Sequence, residues 1–295
     1  MLPIKPHLWF DNNVVEAANF YTGLMPDSAV IYSSTIPMPG GSCDVVEFTI
    51  AGQPFLGING GPGLKINPSI SFMMHFDEAS AVDPVWEKLI AGGKIMMPLD
   101  QYPFSARYGW VEDQFGVSWQ LMLRAEDSAE RTMIMPSMMF TGAVAGKAGE
   151  AIDFYSSIFK DARSGSLAPR TEDAGPDKAG SLMYGDFFVH GTWIAAMDSA
   201  HPHGFGFNDA LSFLITCDSQ EEIDYYWSAL TAGGTPGQCG WLKDQFGVSW
   251  QVASSVMFEA LKHGSEKQIE RVVEAFRMME KVEVAVLEEA YRGGE

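Results

Sequence analysis

The octapeptide DQFGVSWQ occurs twice in this chain, at 113–120 and at 244–251, each time behind a Gly-Trp pair (Gly109-Trp110 and Gly240-Trp241). Identical strings of that length do not recur by chance, so one unit of roughly 120 residues has been used twice. The duplication reaches well beyond the octapeptide. The segment from Ile4 to Phe10 aligns with that from Ile134 to Phe140. An apolar stripe then follows, at Val14, Ala17, Ala18, Tyr21, Leu24 and Met25 in the first copy. In the second it lies at Ala148, Ala151, Ile152, Tyr155, Ile158 and Phe159, with the same steps. Steps of three and four predict an amphipathic helix laid on a sheet.

Runs of strands follow each helix. Val45–Ala51 and Phe55–Ile58, joined around Gly52-Gln53-Pro54, read as a hairpin, and Phe187–His190 with Trp193–Met197 around Gly191-Thr192 is its second copy. Ser71–Phe76 matches Ser212–Cys217 as a further strand. A second helix carries Val82, Val85, Trp86, Leu89 and Ile90 against Ile223, Tyr226, Trp227 and Leu230. Each copy stops at Ala-Gly-Gly (91–93 and 232–234), where glycine accepts the left-handed backbone that ends a helix. Each half is thus strand–helix–strands twice over, with helices on one face of a mainly antiparallel sheet. The other face must meet a second unit, a ligand, or both.

At 295 residues the chain has room for two domains of ordinary size. Its net charge of −19 disfavours nucleic acid and anionic membrane surfaces, which both need a Lys/Arg surplus on some face. Three cysteines (Cys43, Cys217, Cys239) without a C-x-x-C pair are expected to be reduced thiols in a cytoplasmic setting. No basic leader and no 18-residue apolar run is present, so a soluble protein is expected.

The two halves differ in one place. Fifteen residues, 94–108, separate Gly93 from Gly109, whereas five separate Gly234 from Gly240. The first copy therefore carries an extension rich in prolines and aromatics. It either closes over the first half's ligand face or covers the other half's sheet. Arg124–Thr132, charged and aperiodic, reads as the linker, and 199–210 as a mobile, glycine-rich surface loop. Nothing repeats after about 256. There Ser265 with Gln268 makes a capping box ahead of the stripe Ile269, Val272, Val273, Phe276 and Met279. One or two appended helices, packed over a sheet edge or a partner subunit, are predicted.

Pro6–Phe10, the Phe-Tyr helix ends, the Ala-Gly-Gly stops and the Gly-Trp-x-x-DQFGVSWQ stretch together resemble the vicinal-oxygen-chelate superfamily of glyoxalases, bleomycin-resistance proteins and dioxygenases. Within it the chain is most similar to the PhnB-like group, often named 3-demethylubiquinone-9 3-methyltransferase. The resemblance covers 4–123 and 134–253. It implies an α+β fold, a tandem duplication of a glyoxalase-like domain. Each domain would be built of paired βαβββ modules whose sheet curls into an open cup, with a C-terminal helical tail added. The domains expected are 1–123 and 133–255, with a linker at 124–132 and the extension at 256–295. The methyltransferase name finds no support in the residues. A cofactor site of the usual kind needs a strand, a glycine-rich turn and then a helix. Here Gly57–Gly63 runs into Lys65-Ile66-Asn67-Pro68 instead.

The resemblance implies metal-ligand positions at Lys5 or His7, Gly57, Ser71 and Gln120 in the first half. In the second half they fall at Met135 or Ser137, Ala195, Ser212 and Gln251. In the first half only His7 and Gln120 are of ligating type, while a first-row divalent ion wants three or four N, O or S donors. One divalent ion in the first domain stays open, and none is expected in the second. Alternation along strands puts Lys5, His7 and Trp9 on one face, and likewise Ser71, Met73 and His75. In the family orientation His7 and His75 both enter the first cup, with Ser118 and Gln120 on its last strand. Glu47 and its counterpart Asp186 hold matched hairpin positions. His7, Glu47, His75 and Gln120 are accordingly the catalytic candidates, as a Zn²⁺ or Fe²⁺ centre or as general base and acid. The plain alternative is a hydrogen-bonded histidine at a sheet rim and a glutamate on a solvated strand. Trp9, Ser71, Tyr102, Phe104, Arg107 and Trp110 are the ligand-binding candidates, Arg107 as the cation for an anionic or enolic group. The second half offers no titratable constellation, and Cys239 reads as a structural thiol.

These residues describe a protein with a small-molecule pocket, working in its N-terminal half as an enzyme. The other reading is a non-catalytic binder that sequesters its ligand, as bleomycin-resistance proteins do. A small molecule is the expected partner, nucleic acid and membrane are not, and a homodimer is left open.

Overall fold

The computed structural model describes residues 2–38, 41–124 and 130–293. The linker expected at 124–132 falls largely on 125–129, outside the described residues. Sixteen strands form two eight-stranded sheets, and the chain visits them in blocks. The first block, β1 (Lys5–Phe10), β2 (Ala29–Met38), β3 (Gly41–Ile50) and β4 (Gln53–Asn59), lies in sheet A. The next eight strands lie in sheet B. They are β5 (Ile70–Phe76), β6 (Lys94–Tyr102), β7 (Ser105–Glu112), β8 (Ser118–Leu123), β9 (Ile134–Thr141), β10 (Arg163–Pro169), β11 (Leu182–Val189) and β12 (Thr192–Ser199). The chain then returns to sheet A with β13 (Leu211–Cys217), β14 (Thr235–Pro236), β15 (Trp241–Lys243) and β16 (Ser249–Ser254).

The sheet orders are β14-β15-β16-β13-β1-β4-β3-β2 and β10-β11-β12-β9-β5-β8-β7-β6. Each sheet is therefore completed by both halves of the repeat. The joins are antiparallel pairs, β1 with β13 (His7 opposite Ser212) and β5 with β9 (Ser71 opposite Ser137). The expected hairpins are present. Ala51-Gly52 and His190-Gly191 take positive φ at both turn positions, the geometry that matches the right-handed strand twist.

Four helices cover one face of each sheet. α1 (Val14–Thr22) packs on β3 and β4, and α4 (Gln220–Thr231) on β15 and β16, both in sheet A. α2 (Ala79–Ile90) and α3 (Ala148–Ile158) do the same for sheet B. The two sheets share one core on this side, where Phe55 of β4 meets Phe72 of β5 edge-on at 5.0 Å.

The repeated octapeptide is part of that core. The carboxylate of Asp113 accepts from the amides of Phe115 and Val117, the indole of Trp119 and the hydroxyl of Tyr21. Asp244 does the same with Phe246, Val248, Trp250 and Tyr155. Each tyrosine ends a helix packed on one sheet, and each aspartate turns a loop of the other, so both buckles tie the sheets together.

We call the face that α1–α4 leave uncovered the distal face. On sheet A it is taken by the C-terminal segment, which forms three helices rather than one or two. They are α5 (Ser255–His263), α6 (Glu266–Arg277) and α7 (Val284–Arg292). α5 touches β16 and β2, and α6 touches β2, so the tail spans the face and reaches its edge. Gln268 Oε1 accepts from the Ser265 amide, as the capping box requires. At the other edge the amides of Cys239 and Gly240 donate to the carbonyls of Met279 and Glu280.

On sheet B the extension forms the β6–β7 hairpin at the sheet edge, where sheet A has only the two-residue β14. Segment 200–210 is irregular backbone tied down by Asn67 to the carbonyl of Gly206 and by Asn208 to that of Lys65. No helix of the described residues is long and apolar enough to cross a membrane.

Candidate functional site

The distal face of sheet B gathers most of the candidate residues. Strand alternation and register bring Ser71, Met73 and His75 of β5 beside Gln120 and Met122 of β8 and Met135 and Ser137 of β9. A buried hydrogen-bond chain runs across them: Tyr108 Oη donates to Gln120 Oε1 (2.7 Å), and Gln120 Nε2 donates to Ser71 Oγ (2.6 Å). Trp110 Nε1 donates to Ser118 Oγ at 2.7 Å. Met73, Met135, Trp193 and Ala195 form an apolar cluster separate from the main core, flanked by Met122, Tyr184 and Phe188. Methionine side chains re-pack readily, so this floor can yield to a ligand.

Charged groups border that floor. Asp186 accepts from both Nε and Nη2 of Arg131 (3.0 Å each), from Tyr184 Oη and from the Ser166 amide. The Arg131 guanidinium lies 4.3 Å over the Trp193 ring, and that of Arg163 lies 3.9 Å over Phe188. His75 is only 4% exposed, and its Nδ1 is buried without a hydrogen-bond partner. Burial, reinforced by the charge of Arg124, lowers its pKa to about 4, so the imidazole is neutral at physiological pH. Ser137 Oγ is likewise buried without a partner.

The structure divides the catalytic candidates. His75 and Gln120 lie on sheet B, whereas His7 and Glu47 lie on sheet A, so the expected single group of four does not form. The cause is the cross-half pairing: β1 completes its face with β13 and β16, not with β5 and β8. Glu47 is bound to Lys5 Nζ at 2.8 Å, and that ammonium lies 5.0 Å from the Phe258 ring of α5. His7 is buried, with Trp241 edge-on at 5.4 Å; burial lowers its pKa to about 3 and leaves Nδ1 without a partner.

Among the ligand-binding candidates, Ser71 and Trp110 join the sheet B face. Tyr102 and Phe104 stand at its rim, clustered with Tyr108 (4.9 Å from Phe104 to Tyr108), with Phe104 61% exposed. Trp9 belongs to sheet A. Arg107 points to the helix side and pairs with Asp83 of α2 through Nη2 and Nε, so it is not a cation over the distal face of sheet B. Alternation explains this, since its neighbour Tyr108 takes the distal face.

The metal positions implied by the family are re-sorted by the same topology. On sheet A they become His7, Leu56, Ser212 and Gln251; Leu56 replaces Gly57, because His7 pairs with Leu56 and Gly57 faces Val14. On sheet B they become Ser137, Ala195, Ser71 and Gln120. Both glutamines spend their amides on serines, Gln251 on Ser212 as Gln120 on Ser71. These donors do not suit a divalent ion, and no cluster of three His, Cys, Asp or Glu fit for a metal occurs among the described residues.

Sequence reasoning missed Arg131, Tyr184 and Trp193 as members of this face. Asp186 was matched to Glu47, but only the sheet order reveals that it lies near His75 rather than in a separate domain.

Residues 3–122 and 132–253 each match the family model described as 3-demethylubiquinone-9 3-methyltransferase. The tail from α5 onward lies outside both matches. No curated protein matches the chain. Among solved structures, a PhnB protein from Bacillus cereus is 34% identical over 41% of this chain and 98% of its own, with a TM-score of 0.39. Glyoxalase I from Zea mays is 12% identical over 89% of this chain and 98% of its own, with a TM-score of 0.57. The second likeness extends through most of both sheets, and the fold is that of the vicinal-oxygen-chelate proteins.

Proposed function

Since the chain belongs to the 3-demethylubiquinone-9 3-methyltransferase family, we propose that it binds a small molecule on the distal face of sheet B, without a metal ion. The observation that carries this reading is a pair of buried polar atoms, His75 Nδ1 and Ser137 Oγ, without partners among the described residues, beside a methionine- and tryptophan-rich floor. Buried polar groups are nearly always satisfied, and leaving one unpaired costs about 1–3 kcal/mol. A ligand that bonds to both would recover that cost. Its body would replace methionine contacts, and the Tyr102–Phe104–Tyr108 cluster would form the near wall.

The family name does not fix the activity. The glycine-rich segment at 57–63 leads into irregular backbone, not into the helix a nucleotide-type cofactor needs. Binding and sequestration is therefore the reading we put first. Enzymatic turnover is the second, favoured by the neutral imidazole of His75, a base able to take a proton from a bound acid.

A thermal-shift screen of small polar aromatics on the full chain, followed by calorimetric titration of hits, tests the reading. His75→Gln and Ser137→Ala should each weaken a true ligand roughly five- to ten-fold, since each removes one hydrogen bond. Hits that ignore both substitutions would sink the assignment. Product formation in excess chelator, lost in His75→Gln, would select the enzyme over the binder.

A further inference from the structure

The shortened loop of the second half leaves a gap that the first half fills. At sheet B the long β6–β7 hairpin brings Tyr102 and Phe104 against Tyr108, two residues before Trp110. At sheet A the matching tryptophan, Trp241, faces a cleft of about 360 Å³ lined by Trp9, Thr235, Pro236, Gln238 and Lys243. This volume lies at the lower end of the range of small-molecule sites.

The cleft walls are fixed in advance. The Trp9 ring packs on Gly60, where a Cβ would stand 2.0 Å from a ring carbon, and its Nε1 donates to the Gly61 carbonyl at 2.8 Å. Trp241 stands edge-on to the buried His7 ring. The loop before Trp241 is pinned by the tail through the amides of Cys239 and Gly240.

The indole N–H of Trp241 makes no bond to a described residue. In the first half the indole of Trp110 donates to Ser118. The matching hydroxyl of Ser249 turns instead to Asp209 Oδ1 at 2.5 Å, and Asp209 Oδ2 pairs with Lys243. Trp241 Nε1 thus has no hydrogen-bond partner among the described residues.

We infer that this cleft is a second ligand site, independent of sheet B, for a flat uncharged aromatic molecule carrying a hydrogen-bond acceptor. The ring would lie between the Trp9 and Trp241 walls, with the acceptor on Trp241 Nε1. The Asp209–Lys243 pair is already neutralised and adds no demand for charge.

Equilibrium dialysis of the full chain with quinoline at neutral pH tests this, with naphthalene as the isostere that lacks the acceptor. Quinoline should bind saturably and about five-fold more tightly than naphthalene, the worth of one hydrogen bond. Trp241→Phe should abolish that preference while both compounds still bind. Thr235→Trp, which fills the cleft from an exposed position and removes no core contact, should abolish quinoline binding. Absence of saturable binding, or full binding by Thr235→Trp, would overturn the assignment. So would self-association of the chain that disappears in Thr235→Trp, because a second copy would then be the occupant.

Discussion

At the scale of single residues, the work of the repeated octapeptide is structural. Burial raises the Asp113 pKa to about 6, against the pull of four hydrogen bonds that favour the charged form. Asp113→Asn keeps an acceptor for the two amides but turns an N–H toward the Trp119 indole. It should cost about 2 kcal/mol at neutral pH, read from urea denaturation. The pH dependence has a worked sign. His75 and His7 have folded pKa values of about 4 and about 3, below the ordinary 6.5. The unfolded chain therefore binds protons first, and stability is lost as pH falls below 6.5 toward those values. Asp113 acts the other way, since the folded state takes its proton first as pH falls through about 6. His75→Gln should flatten the acid-side decline between pH 6.5 and 4, and Asp113→Asn should steepen it. Equal slopes for both variants and the parent would refute the assignments.

At the scale of elements, the periodic signals were the legible ones. α1–α4 each bury the apolar stripe that their spacing announced, and Gly92 and Gly233 take the positive φ that ends α2 and α4. The edge strands β2 and β10 were not legible. Both are largely exposed; β2 runs Val30, Ile31 and Tyr32 together and β10 is mostly polar or small, so no face alternates strongly. The tail helices were visible, but the surface they cover was not. A cavity between sheet A and α5 is lined by Lys5, Glu47 and Tyr32 on one side and Phe258 and Glu259 on the other. Phe258→Ala should therefore destabilise the fold by about 1–2 kcal/mol, less than for a fully buried ring, as measured by thermal melting. It should also leave ligand binding on sheet B untouched.

At the scale of the whole molecule, the pairing of modules was the part the residues could not announce. β5 and β13 present the same serine, β8 and β16 the same glutamine, and β1 and β9 the same register, so local pattern cannot say which joins which. The candidate site inherited that ambiguity. Alternation grouped His7, Glu47, His75 and Gln120 in one cup, whereas the first two lie on sheet A and the last two on sheet B. The same near-equivalence gives a prediction. A fragment of 1–124 leaves one side of β1 and one side of β5 unpaired, and β1 of one copy is complementary to β5 of a second. It should assemble as a dimer in light scattering, or remain unfolded when dilute. A stable, folded monomer of that fragment would contradict the sheet order.

Because the peptide leaves sheet A after β4 and returns only at β13, while Tyr21–Asp113 and Tyr155–Asp244 lash the layers in opposite directions, neither copy of the repeat can be released by heat ahead of the other. Calorimetry of the intact protein should record a single sharp peak whose van't Hoff and calorimetric enthalpies agree, an all-or-none transition of a kind more familiar in chains half as long.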